Sequence, residues 1–82
     1  MIIHSEEEHR FILDKPEGTC YLEYSKQGNE VTVLHTIVPD PLSGKGLAGQ
    51  LANAFFAWAT AKQYVIHSDC SYMTSWLKKA KK

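Results

Sequence analysis

Two groups of residues in this chain are suited to chemistry, and the first is a turn that contains two glycines. Residues 43–48 read Ser-Gly-Lys-Gly-Leu-Ala and join a strand-like run to an alanine-rich helix. Glycine lets the backbone turn tightly and approach a ligand closely, and the helix that follows directs its free N–H groups at that point. Lys45 adds a positive charge. The arrangement favours binding of a phosphate group, although a tight strand-to-helix connection would explain the same residues.

The second group centres on a single cysteine, Cys70, at the predicted start of the last helix. A helix N-terminus lowers the pKa of a thiol and makes the thiolate more available, whereas the preceding Asp69 opposes this effect. The alternative is a small buried residue without a chemical role. His35 is a further candidate, because an imidazole can act as a general base near neutral pH; otherwise it is a hydrogen-bonded histidine on a strand face.

The glycines of the turn do not form either of two common nucleotide-binding motifs. The spacing GxxxxGK[ST] of a P-loop is missing from the chain. Gly44, Gly46 and Gly49 match the dinucleotide pattern GxGxxG literally. That pattern requires a parallel βαβ unit, however, and the strand before this turn belongs to a predicted antiparallel meander.

Three strands are predicted ahead of the turn, and the short connections between them indicate an antiparallel meander. Alternating apolar residues, separated by turn signals, place the strands at residues 9–15, 18–25 and 30–38. Residues 1–8 show no clean period. In the third strand, strict alternation puts four residues on one face: Val31, Val33, His35 and Ile37.

Two prolines, Pro39 and Pro41, end the pairing of the third strand. Proline has no backbone N–H and pushes the residue before it into an extended conformation. Backbone groups of residues 37 and 38 are therefore expected to lack a strand partner on one side. Such groups are available to a ligand.

The second half of the chain alternates helix and strand. Apolar residues at three- and four-residue steps predict a helix over residues 47–62, and residues 63–67 predict a short, final buried strand. Residues 70–80 predict a second helix whose inward side chains are Tyr72, Met73, Trp76 and Leu77. The order βββαβα predicts an α+β fold, mostly antiparallel sheet with two helices, in a single domain spanning residues 1–82.

Composition excludes several classes of function. The chain has 82 residues and a formal net charge of zero, which argues against general nucleic-acid binding. No apolar run is long enough for a membrane span or a signal peptide. Two cysteines without such a signal indicate free thiols and a cytoplasmic location, and no cysteine–histidine spacing predicts a metal site.

The motifs together resemble a known family. His35-Thr-Ile-Val-Pro, then Leu42-Ser-Gly-Lys-Gly-Leu-Ala, a long helix, a short strand and Cys70-Ser-Tyr-Met are similar to the compact, stand-alone acetyltransferase-like domains of the GNAT superfamily. The superfamily's pyrophosphate signature is Gln/Arg-x-x-Gly-x-Gly/Ala. Gly46 and Ala48 match it, while Ser43 departs from its first position. Ile37 stands where compact relatives usually carry an acidic residue.

The resemblance implies that the chain binds acetyl-coenzyme A. The pyrophosphate would lie on the turn and the pantetheine arm beside the third strand, so the implied cofactor-binding residues are Ile37, Val38, Ser43, Gly44, Lys45, Gly46, Leu47 and Ala48. Cys70 would lie near the acetyl thioester, where it could accept the acetyl group or line the acyl pocket. Tyr72 could reprotonate the coenzyme A thiolate, or be an aromatic residue packed on the sheet.

Three functions follow as alternatives. The first is an N-acetyltransferase that moves an acetyl group from acetyl-CoA to an unidentified amine, on a protein or a small molecule, with Cys70, Tyr72 and His35 as its catalytic candidates. The second is a non-catalytic module of the same fold that binds coenzyme A, and the third is an interaction domain in which the glycines serve only as a turn. No metal, nucleic acid or membrane is expected as a partner. Because the short chain leaves its acceptor side open, a homodimer is also considered.

Overall fold

A computed structural model describes residues 2–80 as one five-stranded sheet with two helices. The strands are β1 (Ile2–Ser5), β2 (Arg10–Lys15), β3 (Gly18–Gln27), β4 (Glu30–Ile37) and β5 (Val65–Ser68). A 3-10 turn at Asp40–Leu42 follows β4, and the helices are α1 (Leu47–Ala61) and α2 (Ser71–Ala80). The predicted order βββαβα is confirmed, with one strand, β1, added ahead of it. Four residues are too few to show a period, which is why β1 escapes the sequence pattern.

The strands lie in the order in which they occur in the chain. The first four pair antiparallel, with β2, β3 and β4 as the predicted meander, and β5 joins β4 in parallel after the crossover through α1. The prediction of a buried final strand is wrong, because β5 is the edge of the sheet. Its exposed residues alternate with partly buried ones. In the described part of the chain, no helix is long and apolar enough to cross a membrane.

One hydrophobic core lies between the helices and one face of the sheet. From the sheet it takes Phe11, Leu13, Cys20, Leu22, Tyr24, Val31 and Val33. From the segments after β4 it takes Leu42, Leu47, Leu51, Ala52, Phe55, Ala59 and Met73. The buried residues of α1 recur every three or four positions, as an amphipathic helix packed on a sheet requires. The core thus fixes α1 over the sheet and holds α2 through Met73.

A β-bulge in β4 changes the faces that alternation predicts. Glu23 pairs with His35, but Tyr24 pairs with Val33, so Leu34 is an extra residue without an opposite partner. One extra residue shifts the period of a strand by one and exchanges its two faces. The prediction that His35 and Ile37 share the face of Val31 and Val33 is therefore wrong.

Thr36 takes the place that alternation assigns to His35. Thr36 pairs with the fully buried Leu22 and lies on the core face. His35 and Ile37 lie on the opposite face, and both are exposed.

The ladder between β4 and β5 is short. It runs from Glu30 to Val33 on β4, and one more bond joins Asp69 N to Val33 O at 2.8 Å. Beyond Val33 the described chain gives β4 no strand partner on this side, although β4 stays paired with β3 as far as Ile37. Because β5 ends at Ser68, the last residues of β4 have an unpaired edge on this side, as predicted for residue 37. The space beside that edge, beyond the end of β5, is called the gap between β4 and β5 below.

Candidate active site

The segment between β4 and α1 folds into a compact turn held by its own hydrogen bonds. Leu42 N donates to Pro39 O at 2.9 Å. Ser43 donates twice to Asp40 O, through N at 3.1 Å and through Oγ at 3.0 Å. Ser43 stands where the pyrophosphate signature has Gln or Arg, and in this chain its hydroxyl stabilises the turn.

The two glycines of the turn have left-handed backbone conformations. Their φ angles are 78° at Gly44 and 75° at Gly46, which a residue with a Cβ adopts only at a cost of about 1–2 kcal/mol. Gly46 is the N-cap of α1, and it supplies no side-chain hydrogen bond to the first helical turn. All of α1 is described, and its first turn contains no acidic residue. The first N–H groups of α1 are therefore left for a ligand at the positive end of the helix dipole.

A cavity of about 260 Å³ opens above these N–H groups. Its walls come from the end of β4, the turn, the start of α1 and α2. The lining residues are Val38, Leu42, Ser43, Gly44, Gly46, Leu47, Ala48, Gly49 and Tyr72. Backbone donors and a helix N-terminus make such a cavity suitable for a phosphate group, and the apolar walls suit an alkyl chain beside it.

Cys70 lies beside the gap between β4 and β5, just ahead of α2. Its backbone is held by Ser68, whose Oγ accepts a hydrogen bond from Cys70 N at 3.2 Å and donates one to Cys70 O at 2.8 Å. The sulfur lies 3.7 Å from Thr36 Oγ1 across the gap. The thiol is thus partly buried where β4 has lost its strand partner.

The surroundings of Cys70 favour its thiolate. Burial by itself would raise the pKa of this thiol. Hydrogen bonds from the backbone of Met73, the hydroxyl of Thr36 and the backbones of Tyr72 and Thr36 act in the opposite direction and prevail, so the pKa of Cys70 lies below its ordinary value. The other cysteine behaves differently: Cys20 is fully buried on β3, and burial raises its pKa.

Tyr72 lies on the exposed side of α2, with 40% of its surface accessible. The prediction that it faces inward is wrong, whereas Met73 is buried and Trp76 and Leu77 pack partly buried against the core, as predicted. The Tyr72 hydroxyl is 3.5 Å from the point where a Cβ on Gly49 would lie, so it contacts the first turns of α1. Tyr72 also lines a second cavity, of about 360 Å³, with Ser71, Ser75, Trp76 and Lys79.

A family model described as GCN5-related N-acetyl-transferase matches residues 10–82. The chain belongs to this family. The match covers the turn, the cavity and Cys70, and it confirms both the predicted resemblance and the small α+β fold. A search of curated proteins finds no match for the chain.

The GCN5-related domain brings together most of the residues that the sequence predicts for its site. Of the eight predicted cofactor-binding residues, those that line the cavity are Val38, Ser43, Gly44, Gly46, Leu47 and Ala48. Ile37 and Lys45 do not line it, and both are exposed. Cys70 and Tyr72 lie close to each other, since Tyr72 lines the cavity and its backbone helps to lower the pKa of Cys70.

His35 is not brought together with Cys70 and Tyr72, because the bulge at Leu34 places it on the far face of the sheet. The residue that the sequence analysis missed is Thr36, which occupies the core face beside Cys70 in its stead. No local sequence pattern predicts the bulge. The structure describes residues 2–80, and among them no three metal-ligand side chains cluster.

Proposed function

We propose that this GCN5-related domain is an N-acetyltransferase that takes the acetyl group from acetyl-CoA and transfers it to an amine. The observation that carries the proposal is the cavity itself, which joins the free N–H groups of α1 to the end of β4 and to Tyr72. A pyrophosphate would fill the part of the cavity at the helix N-terminus, and a pantetheine chain would fill the adjoining part along the free edge of β4. Family membership supports the same reaction.

The transfer would take place in the gap between β4 and β5. Backbone N–H groups on the free edge of β4 would donate to the thioester carbonyl oxygen, where negative charge develops as the amine attacks. The new C–N bond forms, the C–S bond breaks, coenzyme A leaves as a thiolate, and the nitrogen of the former amine releases one proton to water. Tyr72 would give that thiolate a proton, and its position at the border of the cavity and of the surroundings of Cys70 supports this role.

A second candidate route uses Cys70 as an acyl acceptor, and its lowered pKa is the observation that favours it. In this route the Cys70 thiolate attacks the thioester carbonyl, a new S–C bond to Cys70 forms, and coenzyme A leaves as a thiolate that takes a proton. The amine then attacks the S-acetyl group, the new C–N bond forms, the bond to the Cys70 sulfur breaks to release the thiolate, and the nitrogen releases one proton to water. The two routes differ in whether an acetylated protein exists.

Turnover is tested by incubating the protein with acetyl-CoA and a panel of polyamines, amino acids and lysine peptides. Liquid chromatography with mass spectrometry then follows coenzyme A and the acetylated amines. We expect coenzyme A and one acetylated product to appear together, in amounts that depend on the enzyme. Tight binding of acetyl-CoA without any product from the panel would favour the non-catalytic module.

The covalent route is tested by the intact mass of the protein after incubation with acetyl-CoA alone. Addition of one acetyl group to the wild type but not to Cys70→Ala would establish Cys70 as the acceptor. Turnover by Cys70→Ala at the wild-type rate would exclude the covalent route and leave direct transfer to the amine.

A further inference from the structure

Thr36 makes the most specific side-chain contact with the Cys70 sulfur. Its Oγ1 accepts a hydrogen bond from Cys70 Sγ at 3.7 Å, and its hydroxyl and backbone both help to lower the pKa of that thiol. Thr36 and Cys70 are far apart in sequence and meet only because α1 carries the chain back to the sheet. The contact is therefore a product of the fold.

The bulge in β4 is what turns Thr36 toward Cys70. Without the extra residue Leu34, alternation would direct His35 to the core face and Thr36 away from it. Because Thr36 pairs with Leu22, which lies on the core face, Thr36 lies on that face too. Bulges commonly re-aim a side chain next to an active site at the expense of one ladder bond.

The backbone of Cys70 and its side chain are held by separate contacts. Ser68 Oγ bonds both backbone groups of Cys70 and also accepts a hydrogen bond from Thr74 Oγ1 at 3.0 Å. This network fixes the start of α2 but leaves the rotation of the thiol open. Thr36 contacts the sulfur from β4, across the gap that lies beyond the end of β5.

We infer that Thr36 is a positioning residue, which holds the Cys70 sulfur in the gap between β4 and β5 by donating a hydrogen bond to its thiolate. The inference rests on the proposed function, in that the gap is where the thioester of acetyl-CoA would lie. A thiolate held there has a fixed direction toward the thioester carbonyl. In the neutral thiol the S–H would instead be the donor to Thr36 Oγ1.

The lowered pKa of Cys70 comes from hydrogen bonds and not from a neighbouring charge. The ionisable residues on the elements around it are Glu30 and His35 on β4, His67 on β5, Asp69 ahead of α2, and Tyr72, Lys78 and Lys79 on α2, whereas α1 carries none. His35 lies on the other face of the sheet. Hydrogen bonds are thus the means by which the described structure stabilises the thiolate.

The test is the pH dependence of Cys70 alkylation by iodoacetamide, with the modified cysteine located by peptide mapping. Thr36→Val removes the hydroxyl and keeps the branched shape. We expect this variant to move the midpoint of the pH–rate profile upward and to slow Cys70 alkylation at neutral pH by about twofold to fivefold. The change is modest because two effects oppose each other. A higher pKa lowers the fraction of Cys70 that is thiolate at neutral pH, but each thiolate is then more nucleophilic. Thr36→Ser, which keeps the hydroxyl, should restore most of the wild-type profile.

Thr32→Val is the matched control, because Thr32 lies on β4 between two buried valines and so points to the opposite face. It should leave the profile unchanged. Cys20 should stay unreactive in every variant that is folded. A Thr36→Val profile identical to the wild type would overturn the inference, and so would a Thr36→Ser profile identical to that of Thr36→Val. Neither measurement needs acetyl-CoA, so a failure of the proposed function would appear separately, as absence of binding and turnover.

Discussion

At the scale of single residues, the structure contains a second polar contact that the sequence does not announce, between His4 of β1 and Tyr24 of β3. His4 Nε2 lies 2.7 Å from Tyr24 Oη, and the imidazole stacks on Phe11 with ring centroids 3.9 Å apart. Burial lowers the pKa of His4, and burial also raises the pKa of Tyr24 to about 12. Both shifts favour the neutral side chains. The aromatic end of the core is therefore built around an uncharged histidine.

We expect the free energy of unfolding to decrease as the pH falls below 6.5, the ordinary pKa of histidine. In that range the unfolded chain binds a proton at His4 that the folded chain resists, because the pKa is lowered only in the folded state. Urea unfolding at about pH 7.5 and about pH 5.5, one above and one below the ordinary pKa of histidine, measures this decrease in the free energy of unfolding. At the higher pH, His4→Gln should have a lower free energy of unfolding than the wild type, by about 1 kcal/mol for the lost hydrogen bond. Between the two pH values its free energy of unfolding should fall less than that of the wild type. An equal loss in wild type and variant would contradict the assignment to His4.

The family resemblance predicted Cys70 and Tyr72 as neighbours of one site, and in the fold Tyr72 lines the cavity and its backbone helps to lower the pKa of Cys70. The same reasoning could not find Thr36. A threonine in a strand attracts no attention, because its β-branched shape already explains its presence. Only its contact with a sulfur from the other end of the chain distinguishes it.

At the scale of elements, the turn and the start of α1 were well predicted. The helix was expected over residues 47–62 and is found at Leu47–Ala61, with Lys62 as its C-cap. The two glycines were expected to form a tight turn, and in the structure both have left-handed φ angles. These features depend on a few adjacent residues, so a local pattern suffices to predict them.

Gly46→Ala tests the turn. No atom lies within 4 Å of the added Cβ, so the cost comes from the φ of 75° and not from a clash. We expect a loss of about 1–2 kcal/mol in unfolding free energy, together with weaker binding of acetyl-CoA as the first N–H groups of α1 are displaced. Chemical denaturation and isothermal titration calorimetry measure the two effects.

Gly28→Ala is the control for this variant. Gly28 has a φ of 60° in the hairpin between β3 and β4, also with open space around the added Cβ, but it does not line the cavity. It should lose similar stability and keep its affinity for acetyl-CoA. Equal weakening of binding in both variants would mean that the loss comes from general destabilisation.

At the scale of the whole molecule, binding of acetyl-CoA should stabilise the fold. A ligand that binds only the native state adds about 2.7 kcal/mol at about 100 times its Kd. For a domain of this size each kcal/mol raises Tm by about 4–8 °C, so saturating acetyl-CoA should raise Tm by at least 10 °C. Differential scanning fluorimetry measures the shift.

NAD is the informative comparison, because it shares the ADP portion with coenzyme A and because the glycines match GxGxxG literally. We expect little stabilisation by NAD, since the strand ahead of the turn lies in an antiparallel meander. A larger Tm shift with NAD than with acetyl-CoA would contradict the proposed ligand. No shift with either would leave the glycines with a structural role only.

The proposed homodimer stays a prediction. Among the described residues, three of the four large apolar side chains that are exposed lie on the sheet face away from the core. They are Ile3, Ile37 and Val65. Light scattering of the protein in solution would establish the oligomeric state.

The sequence by itself determined three of the four strands of the meander, the two helices, the glycine turn and the family. Each of these is specified by neighbouring residues, through a period, a turn residue or a short motif. The tertiary structure alone decided which side chains meet at the site. The bulge at Leu34 arises from the pairing of β4 with β3, and it places Thr36 instead of His35 on the core face. A slip of one residue reverses the faces of a strand without changing any local pattern, and for this reason the partner of Cys70 could not be predicted from the sequence.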